Sequence, residues 1–340
     1  MTPYLLVFFS GVAGLIYEIL WMRQMGLLFG NTSYAAAATL AAFFAGLAAG
    51  SWFWGSRCDR MKNPLRAYAW LEAGIAVAAL LYFAVLHLYY AVYPLIYQHI
   101  ASAALLVLVK FVRALLLVCP PAFLMGGTIP VIGHYRVRHP SAFGATTALL
   151  YGVNTLGAAL GAGLAGFILP LWLGFKSTCV GAMMITGAVA AGAFALSRRE
   201  GSGCQVPGGG KGRSLSLLKP GTRNLEPETR DNGESGKRTG NDRRLIPPLC
   251  FLSGFGFLAL EVLWMRMFAQ VLENSVYTFA AILVVVLLCL AVGALVSARL
   301  ARLAVPPIRI LAVLLVLSGG AVAVTPFVFM RLTDSLRILA

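Results

Sequence analysis

The sequence predicts an all-α membrane protein, a polytopic bundle of about nine transmembrane helices. Of its 340 residues, 59% are hydrophobic and only 11% are charged, which is too apolar for the surface of a water-soluble domain. The apolar residues form blocks about as long as a bilayer crossing. Ala, Leu and Gly dominate these blocks without strand-like alternation, so the spanning elements are expected to be helices rather than a barrel.

Nine apolar blocks give the expected spans, which short basic or Gly/Pro-rich joints separate. The spans are 3–22, 33–55, 66–86, 104–133, 145–172, 176–196, 247–268, 275–298 and 308–330. The fourth is expected to be broken at Pro120 and Pro121, because proline lacks the N–H that continues a helix. The first is expected to be a retained span rather than a signal peptide, since no basic residue precedes it and Glu18 interrupts it.

Basic residues predict the side of the membrane on which each joint lies. They follow spans two, four and eight, as Arg57, Arg60, Lys62, Arg66, Arg136, Arg138, Arg299, Arg302 and Arg309. With a cytoplasmic N-terminus all these joints are cytoplasmic, whereas the joint at 88–103 is nearly free of charge. We expect a multi-pass protein of the cell inner (plasma) membrane whose partner is the lipid bilayer. This topology accounts for the net charge of +15, and no nucleic-acid partner is expected.

Three regions are expected along the chain. Residues 1–196 form a six-helix transmembrane unit, and residues 247–340 form a partial second repeat with three transmembrane helices. Between them, residues 197–246 are rich in Gly, Pro, Asn and basic pairs, which is typical of a disordered cytoplasmic linker. Its Gly-Gly-Gly-Lys run at 208–211 is not a phosphate loop. The glycine that a phosphate loop has six residues before the lysine is replaced by Gln205, and the Ser or Thr after the lysine is replaced by Gly212.

The two transmembrane regions repeat one another at a constant offset of 243 residues. The first copy has Ser10, Gly11, Glu18, Leu20, Trp21, Met22, Arg23, Asn31, Tyr34 and Gly50; the second has Ser253, Gly254, Glu261, Leu263, Trp264, Met265, Arg266, Asn274, Tyr277 and Gly293. Six spans and a cytoplasmic linker separate the copies, so both begin on the same side and the repeat is parallel, like that of two-halved transporters. The second copy is the shorter, so the sequence is either a natural short form or a fragment.

Glu18 and Glu261 are the first candidate site residues, because a lone charge inside a span costs at least about 2–3 kcal/mol. Arg23 and Arg266 follow five residues later, where a direct pair within one helix is strained. A partner on another helix is therefore expected. Two interpretations stay open: a pair of carboxylates that binds a cation or relays protons between the halves, or a buried structural pair that locks helices together.

Other polar residues in the spans are further candidates. Lys110 and Arg113 enter span four, ahead of a proline-containing segment at 120–130 that is expected to line a cavity or to be buried in protein. Asn154 lies on a glycine-rich span, where an interhelical hydrogen bond is expected and a substrate contact is the alternative. Gly46 and Gly50, four residues apart, are expected to form a face for close helix packing.

These motifs resemble a known family. Gly55, Asp59 and Arg60 resemble the motif between spans two and three of the major facilitator superfamily, in which this loop gates alternating access. Together, the segments 10–23, 46–60, 121–130 and 151–166 resemble the membrane region of the fused major facilitator superfamily/spermidine synthase proteins of bacteria. The resemblance implies a major-facilitator-like half followed by a partial second half. Its aminopropyltransferase domain, with a Rossmann-type fold, has no counterpart in this sequence.

Two functions follow as hypotheses. The first is a transporter-like membrane unit that moves or binds a small cationic solute. The second is a membrane anchor for a spermidine-synthase-type enzyme of polyamine biosynthesis, whose catalytic domain is missing from this chain or separately encoded. The chain alone is expected to have no aminopropyltransferase activity and no catalytic residues. Neither a metal nor a cofactor is expected, because the six cysteines and four histidines have no ligand spacing.

The topology predicts that Cys204, between the two copies, reacts with a membrane-impermeant maleimide only after the cells are opened. A Ser102→Cys variant, in the opposite joint, is expected to react in intact cells and serves as the control. Labelling of Cys204 from outside intact cells would contradict both the orientation and the parallel repeat.

Overall fold

A computed structural model describes residues 2–29, 33–99, 103–137, 143–202, 235–268, 271, 275–301 and 307–333. The helices are α1 (Thr2–Phe29), α2 (Ser33–Gly55), α3 (Pro64–His99), α4 (Ala103–Arg136), α5 (Phe143–Gly163), α6 (Leu169–Trp172), α7 (Gly174–Ser202), α8 (Ser235–Phe268), α9 (Val276–Leu300) and α10 (Pro307–Leu332). A 3-10 turn, Cys58–Arg60, lies between α2 and α3, and a π-helical turn, Leu164–Ile168, joins α5 to α6. The described residues contain no strand.

The helices have the length and composition of membrane spans. Within the described residues, eight are long and apolar enough to cross a bilayer. Helix α2 adds the shorter apolar stretch Thr39–Gly55, and its full 23 residues extend over about 35 Å at 1.5 Å per residue. The expected all-α polytopic bundle of about nine spans is confirmed.

Glycines bring α2 and α4 into close contact. A Cβ on Gly50 would overlap the backbone of Phe123, and a Cβ on Gly126 would overlap the backbone of α2. Gly46 lies against the same helix, and Ser51 Oγ donates a hydrogen bond of 2.7 Å to the carbonyl of Gly126. The prediction that Gly46 and Gly50 form a packing face is confirmed, and it fits the use of small residues where membrane helices approach closely.

Helix α5 packs through two glycine faces. On one face, Gly157 and Gly161 lie against the backbone of α1, where Gly11 lies against α5 in return. On the other face, Gly152 of α5 and Gly166 of the π-helical turn that follows lie against side chains of α9. One helix of the first copy therefore contacts both its own α1 and a helix of the second copy.

Packing divides the chain into two compact units. One comprises Met1–Glu200 together with Met265–Ala340, and the other is Gly201–Trp264, of which residues 201–202 and 235–264 are described. This division differs from the three regions expected from the sequence, because α9 of the second copy packs along α5 of the first.

The helix starts follow the 243-residue repeat. Helix α2 begins at Ser33 and α9 at Val276, while α3 begins at Pro64 and α10 at Pro307. Both pairs differ by 243 positions. Proline suits the first position of a helix, because its missing N–H would have no partner there. The shared proline is a further feature of the repeat.

The expected break in the fourth span is absent, and that prediction was wrong. Helix α4 is continuous and contains Pro120, Pro121 and Pro130. Each proline removes one backbone hydrogen bond. In a membrane helix, neighbouring helices can compensate for that loss, and both α2 and α3 pack along α4.

The fifth span, expected as one helix over 145–172, contains the π-helical turn. Pro170 has no N–H to give to the carbonyl of Gly166 one turn earlier, so the regular α-helical pattern cannot continue there. After α6 the chain turns at Gly174, whose φ of 75° lies in the left-handed region, which glycine adopts without strain.

Several helices extend beyond the expected spans. Helix α3 continues to His99 through most of the joint expected at 88–103. The linker expected at 197–246 is helical at both ends, as far as Ser202 in α7 and from Ser235 in α8, so its prediction as disordered was wrong there; residues 203–234 lie outside the described residues. The helices are longer than the predicted spans because hydropathy identifies only the part of a helix that lies in lipid. The backbone hydrogen bonds of the same helix can continue into water.

The glycine contact between α2 and α4 predicts that Gly50→Ala lowers the free energy of unfolding of the purified protein by about 1–3 kcal/mol, because an extra methyl group overpacks the interface. Its repeat equivalent, Gly293, has no atom within 4 Å of an added Cβ. Gly293→Ala is therefore the matched control, and its effect is expected to stay within about 0.5 kcal/mol or to stabilise. Denaturation in detergent micelles measures both; equal effects would contradict the interface.

Candidate functional site

Buried polar side chains are concentrated in the helices of the first copy. Those from α1 to α7 are Glu18, Thr39, Glu72, Thr128, Thr155, Thr178, Thr186 and Ser197. Thr128, Thr155 and Thr178 donate to carbonyls of their own helices at 2.7 to 2.8 Å, so these hydroxyls are satisfied locally. The two carboxyl groups are different, because the backbone N–H groups inside a helix already donate to backbone carbonyls.

Among the side chains that the structure describes, Glu72 is the most buried acidic one, with 1% of its surface exposed. It lies on α3, one turn after Tyr68, which is 0% exposed. The Tyr68 hydroxyl and the Ser10 hydroxyl of α1 are its polar neighbours. The carboxyl oxygen Oε1 has no hydrogen-bond donor, and among the described residues Glu72 forms no ion pair. The result is a buried acidic cluster of Ser10, Tyr68 and Glu72 that lacks a positive group.

The pattern of α3 places Glu72 in this position. The buried residues of the helix are Leu65, Tyr68, Ala69, Leu71, Glu72, Ile75, Ala79 and Tyr82. They recur at the three- and four-residue intervals of one helical face. Glu72 therefore takes a position in the core that an apolar residue would ordinarily fill.

Glu72 was not among the predicted site residues. The predicted acidic residues Glu18 and Glu261 recur in both copies, whereas the position equivalent to Glu72 is Leu315. A usable signal was nevertheless present: Glu72 is an acidic residue inside the expected span 66–86, and such residues are functional candidates in their own right.

Glu18 is buried near a separate small cavity. Its side chain is 6% exposed, and the cavity has a volume of about 10 Å³, room for about one water molecule. The lining residues come from α1, α2 and α4; they are Glu18, Trp21, Met22, Thr39, Leu40, Phe43 and Val118. The carboxyl of Glu18 and the hydroxyl of Thr39 make this cavity partly polar.

A row of aromatic rings connects the two acidic positions. Tyr17 stacks on Trp21 with ring centroids 5.5 Å apart, and Trp21 lies 6.0 Å from the ring of Tyr82. Trp21 also lines the cavity beside Glu18, and Glu72 is an electrostatic neighbour of the Tyr17 hydroxyl. Both carboxyl groups therefore border the same aromatic row.

Tyr17 also joins α1 to α7. Its hydroxyl lies 3.3 Å from Thr186 Oγ1, and the Thr186 hydroxyl donates to the carbonyl of Ala182 at 3.0 Å. Because a threonine hydroxyl has one hydrogen, Tyr17 is the donor in the first bond.

The structure places both predicted acidic residues, Glu18 and Glu261, in buried positions. Glu261 on α8 is 3% exposed. Arg23 is exposed and, among the described residues, makes no ion pair with Glu18. Arg266 is also exposed. The arginines therefore lie on the surface, although each follows its glutamate by only five residues.

The remaining intramembrane candidates do not join the acidic cluster. Asn154 contacts Gly11 of α1 through its backbone carbonyl, and its amide makes no hydrogen bond to a described residue; the expected interhelical bond is not formed there. Lys110 and Arg113 lie on α4, but their side chains are outside the described residues.

The loop between α2 and α3 has its own polar contacts. Asp59 Oδ1 lies 3.8 Å from His134 Nδ1 near the end of α4, and the two side chains are 94% and 39% exposed. Arg60 is exposed. The neighbouring Cys58 is buried, and burial together with the charge of Asp59 raises the pKa of its thiol, which makes it a poor nucleophile. Cys58 is therefore not expected to react in the maleimide experiment that tests the topology through Cys204.

Fold and site together define a multi-pass helical membrane protein with acidic side chains in the core of its first copy. Comparison with protein-family models, with curated proteins and with solved structures finds no match to this chain. The resemblance to the fused major facilitator superfamily/spermidine synthase proteins therefore stays a prediction.

The bond between Tyr17 and Thr186 predicts that Tyr17→Phe lowers the free energy of unfolding by about 0.5–1.5 kcal/mol, since a buried hydrogen bond is lost. Tyr151→Phe, at a side chain that is 43% exposed, is the control, with an expected change within about 0.5 kcal/mol. Chemical denaturation in micelles gives both values. Equal effects would show that the Tyr17 hydroxyl contributes nothing specific.

Proposed function

We propose that this protein binds a small cationic solute in the core of its first copy and carries it across the membrane. Glu72 is the principal anionic group, and Ser10 and Tyr68 supply neutral oxygen atoms beside it. Glu18 provides a second acidic position along the aromatic row. The observation that carries the proposal is the buried Glu72 carboxyl, one of whose oxygens has no donor.

Glu72 is buried beside neutral hydroxyl groups. A buried carboxylate without compensation is costly, so the group is stable either with a proton or beside a cation. Ser10 and Tyr68 are neutral and can compensate only part of a charge. A protonated amine could donate to the free Oε1 oxygen and neutralise the group. In this proposal a solute cation and a proton compete for one carboxyl.

The aromatic row favours an organic cation. Tyr17, Trp21 and Tyr82 lie beside the acidic positions, and aromatic rings attract ammonium groups by about 0.5–2 kcal/mol, depending on solvation. An extended diamine could contact the aromatic row while one of its amines pairs with Glu72. The resemblance to the fused family suggests the same chemical class, because polyamines are small organic cations.

The proposal also includes the orientation of the protein in the membrane. The distribution of basic residues favours a cytoplasmic N-terminus in the cell inner membrane. The exposed Asp59 and Arg60 lie on the loop between α2 and α3, where they could control access to the cytoplasmic side. Their role in gating rests on the family resemblance.

The alternative is a membrane anchor for a separately encoded spermidine-synthase-type enzyme. It is favoured by the family resemblance alone. An anchor needs no buried acidic cluster and moves no solute, so a measurement of flux distinguishes the two functions.

Proteoliposomes with the purified chain are expected to take up labelled putrescine faster than empty liposomes when the lumen is acidic. Glu72→Gln keeps the shape of the side chain but removes its charge, and is expected to reduce uptake to the level of empty liposomes. Glu228→Gln makes the same chemical change between the two copies and is expected to leave uptake unchanged.

Thermal unfolding of each variant separates function from folding. Loss of uptake with an unchanged unfolding temperature supports a binding role for Glu72. No uptake by the folded, unsubstituted protein would favour the anchor. Equal uptake by Glu72→Gln and the unsubstituted protein would exclude Glu72 as the binding group.

A further inference from the structure

Helices α3 and α7 are joined at one end by polar side chains. Asn63, the residue before Pro64 at the start of α3, donates from Nδ2 to the Ser197 Oγ of α7 at 3.5 Å. The Asn63 side chain also accepts a hydrogen bond of 3.0 Å from the backbone N–H of Arg66. One side chain therefore caps α3 and connects it to α7.

Further along, the same two helices meet through aromatic rings. Trp70 and Phe194 lie edge to face, with ring centroids 5.2 Å apart. A second contact joins Phe83 to Phe175, with centroids 6.4 Å apart, so the two helices run side by side and antiparallel. Trp70 is nevertheless 62% exposed, and the pair that it forms with Phe194 therefore presents aromatic surface to the outside.

Two exposed arginines flank this aromatic pair. Arg66 lies four residues before Trp70, and Arg198 lies four residues after Phe194. Residues four apart share a face of a helix. Because the helices are antiparallel, both arginines lie one turn beyond the rings at the same end of the bundle. We name Arg66, Trp70, Phe194 and Arg198 the α3–α7 surface.

The charge around the α3–α7 surface is positive. Lys62 and Arg199, close to the two arginines in sequence, are also exposed. Within four positions of either arginine the sequence has a single acidic residue, Glu200. Among the described residues, Arg66 forms no ion pair. A guanidinium group in such a position can donate two parallel hydrogen bonds to a phosphate group.

An apolar stripe continues from this surface along α3. Val77 and Leu81 follow Trp70 by seven and eleven residues, on the same helix face, and are 55% and 56% exposed. From Trp70 to Leu81 the helix rises about 16 Å at 1.5 Å per residue, which is about half of a hydrocarbon core about 30 Å thick. An acyl chain of one leaflet can therefore lie along the stripe while its headgroup reaches the arginines.

We propose that the α3–α7 surface is a binding site for an anionic glycerophospholipid of the phosphatidylglycerol type. Its phosphate accepts hydrogen bonds from Arg66 and Arg198, and an acyl chain packs on Trp70 and the apolar stripe. A soluble anion would leave the exposed aromatic surface uncovered, so the occupant is an amphiphile. Phosphatidylethanolamine is disfavoured, because its ammonium group would lie beside two guanidinium groups. The site does not depend on a cation at Glu72.

The repeat provides a matched control for Arg66. The equivalent residue is Arg309 near the start of α10, and it is also exposed. The equivalent of Trp70 is Val313, so Arg309 has the same charge and register without the aromatic pair. General attraction between anionic lipids and basic residues acts on both arginines, whereas the proposed site contains Arg66 alone.

Native mass spectrometry of the purified full chain in micelles, with phosphatidylglycerol or phosphatidylethanolamine at equal concentration, tests the proposal. The unsubstituted protein is expected to retain phosphatidylglycerol in preference. Arg66→Gln and Arg198→Gln are each expected to weaken its retention about tenfold, because charge-assisted hydrogen bonds to the phosphate are lost. Arg309→Gln is expected to leave retention unchanged.

Thermal unfolding in the same micelles separates lipid binding from folding. Phosphatidylglycerol is expected to raise the unfolding temperature of the unsubstituted protein and of Arg309→Gln, since a ligand of the folded state stabilises it. Each increase is measured against the same variant without lipid, and none is expected for Arg66→Gln or Arg198→Gln. Two substitutions on different helices make the result independent of the folding of either variant.

Three results would overturn the proposal. Equal retention of the two lipids would show that the headgroup charge is not recognised. Equal loss in Arg66→Gln and Arg309→Gln would show general attraction to basic residues rather than a site. Displacement of phosphatidylglycerol by an equal concentration of inorganic phosphate would show that the surface binds a free anion instead of a lipid.

Discussion

Close backbone contact at glycine is the constraint on which the arrangement of the first copy depends. Lipid tails are as apolar as leucine, so helices inside a bilayer gain little from hydrophobic burial and associate through packing. Gly50 and Gly126 bring α2 to α4, and Gly11 and Gly157 bring α1 to α5. These contacts fix α1, α2 and α4 around the Glu18 cavity and give α5 a free face for α9.

The acidic residues depend on this packed scaffold. Glu18 and Glu72 are buried by helices that the glycine contacts hold together, in positions where a bare charge would be costly. A carboxyl in such a position needs a proton, a cation or several donors, and the described surroundings of Glu72 provide neutral oxygen atoms. Tyr17, hydrogen-bonded to Thr186, fixes the aromatic row beside it. The residues that stabilise the fold and the residues proposed to bind the cation therefore lie in the same core.

Much of the fold could be predicted, because hydropathy reports which residues can lie in lipid and small-residue spacing reports where helices meet. Helix ends were less predictable: α3 runs to His99, since helical hydrogen bonding does not stop at the membrane surface. Pro120 and Pro121 suggested a break, but packing by neighbouring helices keeps α4 continuous. Glu72 was missed because it has no acidic counterpart in the repeat, and its neighbour Ser10 is 62 positions away in sequence.

The central claim is that the buried carboxyl group of Glu72 binds a cation. Modification by a hydrophobic carbodiimide, followed by mass spectrometry of the α3 peptide, tests it at the residue itself, because this reagent enters membranes and reacts with carboxyl groups. The account predicts that Glu72 is modified and that putrescine, but not sodium chloride of equal ionic strength, protects it. Modification of Glu72 at the same rate with and without putrescine would contradict the account.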